Sequence, residues 1–330
     1  MTMAAVAAPQ PAHRSVLLPD GTRAQLDGPL RSGVPVVVLL HGFAGDAASL
    51  TGRAHGRGSW RDALLAAGFS TLSYRQTSPL GVLEPNVEQL LRVAAGLLAS
   101  HQLRRLPLVL VAHSRGGLLA RAFVDRAAQR RDLFDVLDRI DRVITLHSPH
   151  QGSGLAGLAV RMDPTARRLQ LLVGSLGLRP SVLGALCALS ASPAVAELAP
   201  GSTLLRTLGR CPPPDGIAWH TFGGISADLG RIQSLLGGGS GTLARKGDPG
   251  RFVRTRGVAE VLAALNRMAP LSPALREGEG DLVVADACAR LPFASSHTVN
   301  RLTHLEALWS VDLHAQVVGL LGGRAVPAAA

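Results

Sequence analysis

The chain has 330 residues, 47% of them hydrophobic and 17% charged, enough to bury a sizeable core and too apolar for a disordered polymer. Its formal charge is +11, yet Lys246 is the sole lysine, aromatics make up 3%, and the arginines are scattered; this is not the clustered basic and aromatic pattern of a nucleic-acid partner. No apolar stretch approaches the roughly 18–20 residues of a membrane span, and the three cysteines (187, 211 and 288) lack CxxC spacing, which argues against a disulfide framework or a zinc site. One Cys187–Cys211 bridge stays open. The basic excess reads as a solvated surface, with attraction to anionic lipid or an acidic substrate as the alternative.

Residues 1–13 carry no positive n-region and no strong apolar h-region, so they read as a disordered leader rather than an export signal. That favours the cytoplasm, with secretion as the alternative. "HRSVLLPDGTRAQLDG" reads as a hairpin turning at Pro19-Asp20-Gly21. "VPVVVLL" (34–40) is a continuous β-branched run of the kind buried on both faces. A helix over 58–69 stops at Gly68, and "STLSYR" follows as a strand. The periodicity of 86–103 predicts an amphipathic helix with Asn86 as its N-cap. "LPLVLVA" is the next buried strand, "GGLLARAFVDRAAQRR" a helix, and "RVITLHS" (142–148) another strand. Strand and helix therefore alternate over 34–148, the pattern of an α/β fold with a mostly parallel sheet and helices on both faces.

After Pro149 the pattern changes. Residues 151–215 hold helical pieces such as "PTARRLQLLVGSL" and "SVLGALCALS" and no evident strand, as expected of an inserted helical lid or cap. The core then spans 14–150 and 216–322, resuming at "GIAWHTFGG". A glycine-rich loop (235–250), a helix at 257–267, a strand at 296–300, a helix at 304–321 and a tail (323–330) complete the chain.

One strand ends in chemistry. "LPLVL" runs into Val111-Ala112-His113-Ser114-Arg115-Gly116-Gly117, a hydroxyl between small residues at a strand-to-helix junction. The spacing is that of G-x-S-x-G with Ala112 in place of the first glycine; small neighbours let the turn lift the serine above the sheet. There the backbone N–H of Arg115, at a helix N-terminus, faces any developing oxyanion. A second donor is expected from the loop after the first buried strand, at the N–H of Phe43, with Gly42 allowing close approach and His41 orienting the loop. His147 and His150 lie three apart without an obvious third ligand, which speaks against a metal hydrolase.

In order, "HGF", "AHSRGG" and "LHSPHQGS" (146–153) resemble motifs of the α/β-hydrolase superfamily, and most nearly its bacterial triacylglycerol lipases and esterases. Ser148 stands where that last motif has Thr. "SPAVAELAPGSTLLRTL" (192–208) resembles the segment after the lid in those lipases, and the resemblance spans about 34–320. It implies the α/β-hydrolase fold and a catalytic Ser114, Asp281 and His304, in the chain order of the fold. "GEGDLVVADACA" resembles the family's acidic turn and assigns Asp281 over Glu277, Glu279 and Asp286. "VNRLTHLEALW" resembles the segment in which the base opens the last helix, which makes His304 the base, with His297 and His314 as alternatives. The implied function is cleavage of apolar acyl esters by a lipase or carboxylesterase, with Phe43 and Arg115 as oxyanion hole. A polyester, thioester or amide hydrolase is the runner-up, and a non-catalytic binding protein on this fold the third. No cofactor or metal is expected; Glu306 alone is too little for a structural calcium. The partner is a small-molecule or lipid ester, with transient contact to a lipid interface and no nucleic acid.

Overall fold

The computed structural model describes residues 13–17, 23–43, 45–53, 58–100, 103–161, 192–210, 213–228, 230–231 and 272–322. Eight strands form one sheet: β1 (His13–Leu17), β2 (Arg23–Asp27), β3 (Val36–Leu40), β4 (Ser70–Tyr74), β5 (Leu108–His113), β6 (Ile140–Leu146), β7 (Ala218–Gly224) and β8 (Ser296–Asn300). Their spatial order is β1-β2-β4-β3-β5-β6-β7-β8. The expected hairpin is present as the antiparallel β1–β2 pair, and β2 is also antiparallel to β4. Among the described residues, all remaining pairs are parallel.

The unbroken apolar runs have a simple reason. Along β3 and β5, Val36, Val38, Leu40, Leu108, Leu110 and Ala112 join one core, while Val37, Leu39, Val109 and Val111 join the other. Side chains alternate across a strand, so a strand covered on both faces must be apolar at every position. The first core receives α3 (Glu84–Ala99) and α4 (Arg115–Ala127); the second receives α2 (Trp60–Ala66) and the helix Val311–Leu320. The short helices α1 (Ala48–Thr51), α5 (Phe134–Leu137) and α6 (Gly154–Arg161) complete the first half. Ser59 and Asp62 form a reciprocal capping box at the start of α2, and Gly68, at φ +90°, follows its end.

Two helix limits differ from expectation. α3 begins at Glu84, because Pro85 is preorganised for a first helical turn. Asn86 is therefore inside the helix, where its side chain accepts from Ser78 N–H and donates to Ser78 C=O, holding the loop after β4. The last helix does not open at residue 304. Glu306–Leu308 is a 3₁₀ turn, and the helix starts at Val311 after Ser310, whose hydroxyl accepts from Leu313 N–H.

Within residues 151–215, Gly154–Arg161, Pro193–Leu198 and Thr203–Leu208 are helical, and no strand occurs among the described residues of that stretch. The Pro19–Gly21 turn, the helices expected within 164–176, 181–190 and 257–267, the 235–250 loop and Cys187 and Cys211 lie outside the described residues. No described helix is long and apolar enough to cross a membrane.

β3 sits between β4 and β5, so the chain leaves it towards one edge and then crosses back to fill the other. Such a reversal opens a crevice at the carboxyl ends of the two strands it separates. The loops after β3 and β5 carry Phe43 and Ser114.

Candidate active site

Ser114 is the hinge of a sharp turn between β5 and α4, at φ 56° and ψ −128°. A non-glycine residue at positive φ stores strain, which has to be held by its surroundings. Here Ser114 N–H donates to Leu146 C=O at 2.8 Å, and α4 begins immediately after it. The small neighbours have measurable reasons. A Cβ on Gly116 would lie 2.9 Å from His41 O, and one on Gly42 would lie 2.8 Å from Ser114 Cβ. The loop carrying Phe43 therefore packs directly on the serine. Ala112 is fully buried, with its methyl in the core between β5 and α4.

His41 anchors that loop. Its Nε2 accepts from Gln76 N–H at 3.3 Å, which leaves Nδ1–H to donate to Gly42 C=O at 3.1 Å. Burial, only partly offset by the Gly42 bond, pushes its pKa down, consistent with a neutral ring.

Three sequence-distant groups meet at Ser114. His304 Nε2 lies 2.9 Å from Ser114 Oγ, and His304 Nδ1 lies 2.8 Å from Asp281 Oδ2. The carboxylate fixes the tautomer: Nδ1–H donates to it, so Nε2 accepts from the hydroxyl. Asp281 is fully buried, while Ser114 and His304 are 6% and 5% exposed. Its Oδ1 accepts from Val283 and Val284 N–H at 2.9 and 2.7 Å, in a turn where Leu282 takes φ +84°. Burial opposes ionisation of Asp281, but His304 and His147 outweigh it and hold the carboxyl well below its usual range.

His147 is a partner the sequence did not point to. It is completely buried, at φ +52°, and its Nδ1 lies 2.8 Å from the same Asp281 Oδ2. His147, Asp281 and His304 place one ligand atom each within 4.8 Å, a possible metal trio, and the same contacts are satisfied as N–H···O bonds. His113 braces His304 from behind, with its Nε2 3.1 Å from His304 C=O and the rings 4.8 Å apart. Burial, helped by the neighbouring histidines, pushes its pKa well down, so Nε2–H donates to that carbonyl.

The rival residues lie elsewhere. Glu277 accepts from Ala227 N–H, and Glu279 pairs with Arg276. Asp286 binds His297 and Arg290, with His297 Nδ1 2.7 Å from Thr221 Oγ1. His314 packs edge-on against Trp60 in the second core. Glu306 accepts from Thr303 N–H and Oγ–H and pairs with Arg231, closing the turn that carries His304. His150 Nε2 reaches Thr145 Oγ1 instead of joining His147.

The Arg115 side chain turns away from the serine. It donates to Pro79 C=O at 3.2 Å and Gly81 C=O at 2.6 Å, and pairs with Glu197 at 3.0 Å. Glu197 also accepts from Leu83 N–H. One guanidinium thus ties the start of α4 to the loop after β4 and to the helix Pro193–Leu198. Nothing in the sequence around position 115 marks Glu197 as its partner.

No protein-family model matches the chain, and no curated protein does. Among solved structures the chain is similar to the mature form of a Bacillus licheniformis lipase, BlEst2. The TM-score is 0.58 at 18% identity, over 90% of this chain and 97% of that one. The propeptide form of BlEst2 gives 0.57 at 20%, over 93% of this chain and 54% of that one. A metagenomic carboxyl esterase, MGS0156, gives 0.51 at 16%, over 84% and 67%. At these identities the likeness is one of fold. Together with the strand order and the strand-to-helix turn at Ser114, it establishes that the chain has the α/β-hydrolase fold.

Proposed function

We propose that the protein is a serine hydrolase that cleaves carboxylic esters through an acyl-enzyme. The observation that carries this reading is the line Ser114 Oγ, His304 Nε2, His304 Nδ1, Asp281 Oδ2, closed at 2.9 and 2.8 Å on a strained turn. Ser114 Oγ attacks the ester carbonyl carbon while its proton passes to His304 Nε2, and the carbonyl electron pair moves onto oxygen. Asp281, ionised, keeps Nδ1–H in place and stabilises the imidazolium. The backbone N–H groups of Phe43 and Arg115 receive the oxyanion; losing one such donor costs roughly 10²–10³ in rate. Collapse expels the alcohol, which leaves with the proton from Nε2. Water activated by His304 then attacks the acyl-enzyme, releasing the carboxylic acid and free Ser114. These steps need no cofactor.

The substrate class follows from the insert, residues 151–215, read as a cap over the strand ends. It is leucine-rich, and Ala156, Val195, Leu198, Leu205 and Leu208 already extend the first core into it. An apolar acyl chain suits such walls, and the lipase and the carboxyl esterase of like fold agree with it. The partner is accordingly a small-molecule or lipid ester, met with transient contact to a lipid interface; a cytoplasmic setting completes this reading.

The test is hydrolysis of p-nitrophenyl esters of increasing acyl length, with and without a lipid interface. Wild type is expected to prefer acyl chains longer than acetyl, and Ser114→Ala to lose on the order of 10⁶ in kcat by analogy with serine hydrolases. His304→Ala is expected to be nearly as severe. Near-wild-type activity of Ser114→Ala, or His297→Ala as the severe change in place of His304→Ala, would overturn the assignment.

A further inference from the structure

A second cavity, of about 620 Å³, opens between α4, the helix Thr203–Leu208 and the segment after Asp286. Four arginines line it, Arg121, Arg206, Arg210 and Arg290, and Leu291 and Phe293 are part of its apolar wall. Neither Ser114 nor His304 lines it, and none of its described lining residues is a carboxylate. Asp286, beside the cavity, accepts both its Oδ2 bonds, at 3.1 and 2.6 Å, from Arg290.

The other three guanidiniums have no carboxylate partner among the described residues. Arg121 is 6% exposed, donates to Leu208 C=O and stands 5.5 Å over the Phe293 ring. Asp125, one turn further along α4, reaches Arg121 only through space and makes no hydrogen bond to it, so it offsets that charge only in part. Arg206 donates to Gly201 C=O and to Thr203 Oγ1. Burying a guanidinium without a hydrogen-bonded counter-charge is unfavourable, and a fold that keeps one beside two further cations gains most when an anion arrives. One buried ring nitrogen is without a partner as well. His150 is 3% exposed and also lines the cavity; its Nε2 is engaged by Thr145, and its Nδ1 has no partner. Burial, with Arg121 nearby, pushes that ring down to about 3, so it stays neutral and adds no further charge.

We propose that this cavity is a binding site for a phosphate-bearing small molecule, its phosphate held by Arg121, Arg206 and Arg210 and its apolar part against Leu291 and Phe293. A carboxylate occupies one guanidinium fork, whereas a phosphate dianion offers three oxygens to several forks at once, which is what this arrangement presents. The site is separate from the ester chemistry, so it stands or falls independently of it.

Calorimetric titration of the full chain at fixed ionic strength tests it, with inorganic phosphate in one arm. Dihexanoyl phosphatidic acid below its micelle concentration forms the other. Saturable binding is expected, weakened about tenfold or more by Arg121→Gln and by the exposed Arg210→Gln, the loss set by one charged hydrogen bond. Arg126→Gln, on the outer surface, and Ser114→Ala are expected to bind as wild type does. Tighter binding of the lipid phosphate would identify a lipid head group as the source; binding of inorganic phosphate alone would identify a free phosphate. No saturable binding in either arm, equal weakening by Arg126→Gln, or loss of binding in Ser114→Ala would overturn the proposal.

Discussion

Asp281 Oδ2 accepts from two imidazoles at once, His304 and His147, each at 2.8 Å. Sharing weakens what it can give to either ring. With the His147 donor removed, the carboxylate interacts more strongly with the His304 imidazolium, and the acid limb of kcat/KM is expected to move to higher pH. His147→Phe fills the space without a donor and is expected to shift that limb by about one pH unit, the worth of one charged hydrogen bond. His147→Asn keeps an N–H donor and tolerates the left-handed backbone at that position, so its limb is expected to stay with the wild type. A pH profile of ester hydrolysis checks both; an unmoved limb in His147→Phe would reduce His147 to a space-filler. At this scale legibility was uneven. Ser114 was readable because a strained turn demands small residues around it, and those are visible as letters. His147 was not, because its role depends on a carboxylate 134 positions away.

The helices divide by what holds them. The run from β3 to α4 was readable because alternation between two cores imposes apolar residues at every position, and the elbow punctuates it. The last helix starts later than its periodicity predicts because Glu306 turns back onto Thr303 and Ser310 provides a fresh cap, local bonds that override the apolar spacing of 304–321. Asn86 departs from the expected N-cap for a similar reason, since its amide serves the neighbouring loop instead of its own helix. The last helix also carries a pH liability. His314 packs 4.3 Å from Trp60 of α2, and burial lowers its pKa from 6.5 to about 4. The unfolded chain therefore binds a proton that the folded one refuses, and stability is lost as pH falls from about 6.5 towards about 4. The loss amounts to about 3 kcal/mol at most from this one group. Urea unfolding at pH 7.5 and 4.5 is expected to show a smaller fall for His314→Phe than for wild type. An identical fall would mean that His314 is already charged in the fold.

Over the whole molecule, eight strands place the loops after β3 and β5 beside one another and bring the loop before the last helix over them. That order follows from parallel crossovers, and the alternating pattern of 34–148 announced it; which strand neighbours which is set by long-range packing that no short window records. Arg115 links α4 to the helix Pro193–Leu198 through Glu197, a tertiary tie equally invisible in the letters. What the assembled parts are for comes down to one hydroxyl. The most direct measurement is labelling of the folded chain by a fluorophosphonate probe, with the modified peptide identified by mass. A single adduct on Ser114, formed with the loss of ester hydrolysis and abolished by Ser114→Ala, is the predicted result. A folded wild-type chain that stays unlabelled, or an adduct on any other residue, would contradict it.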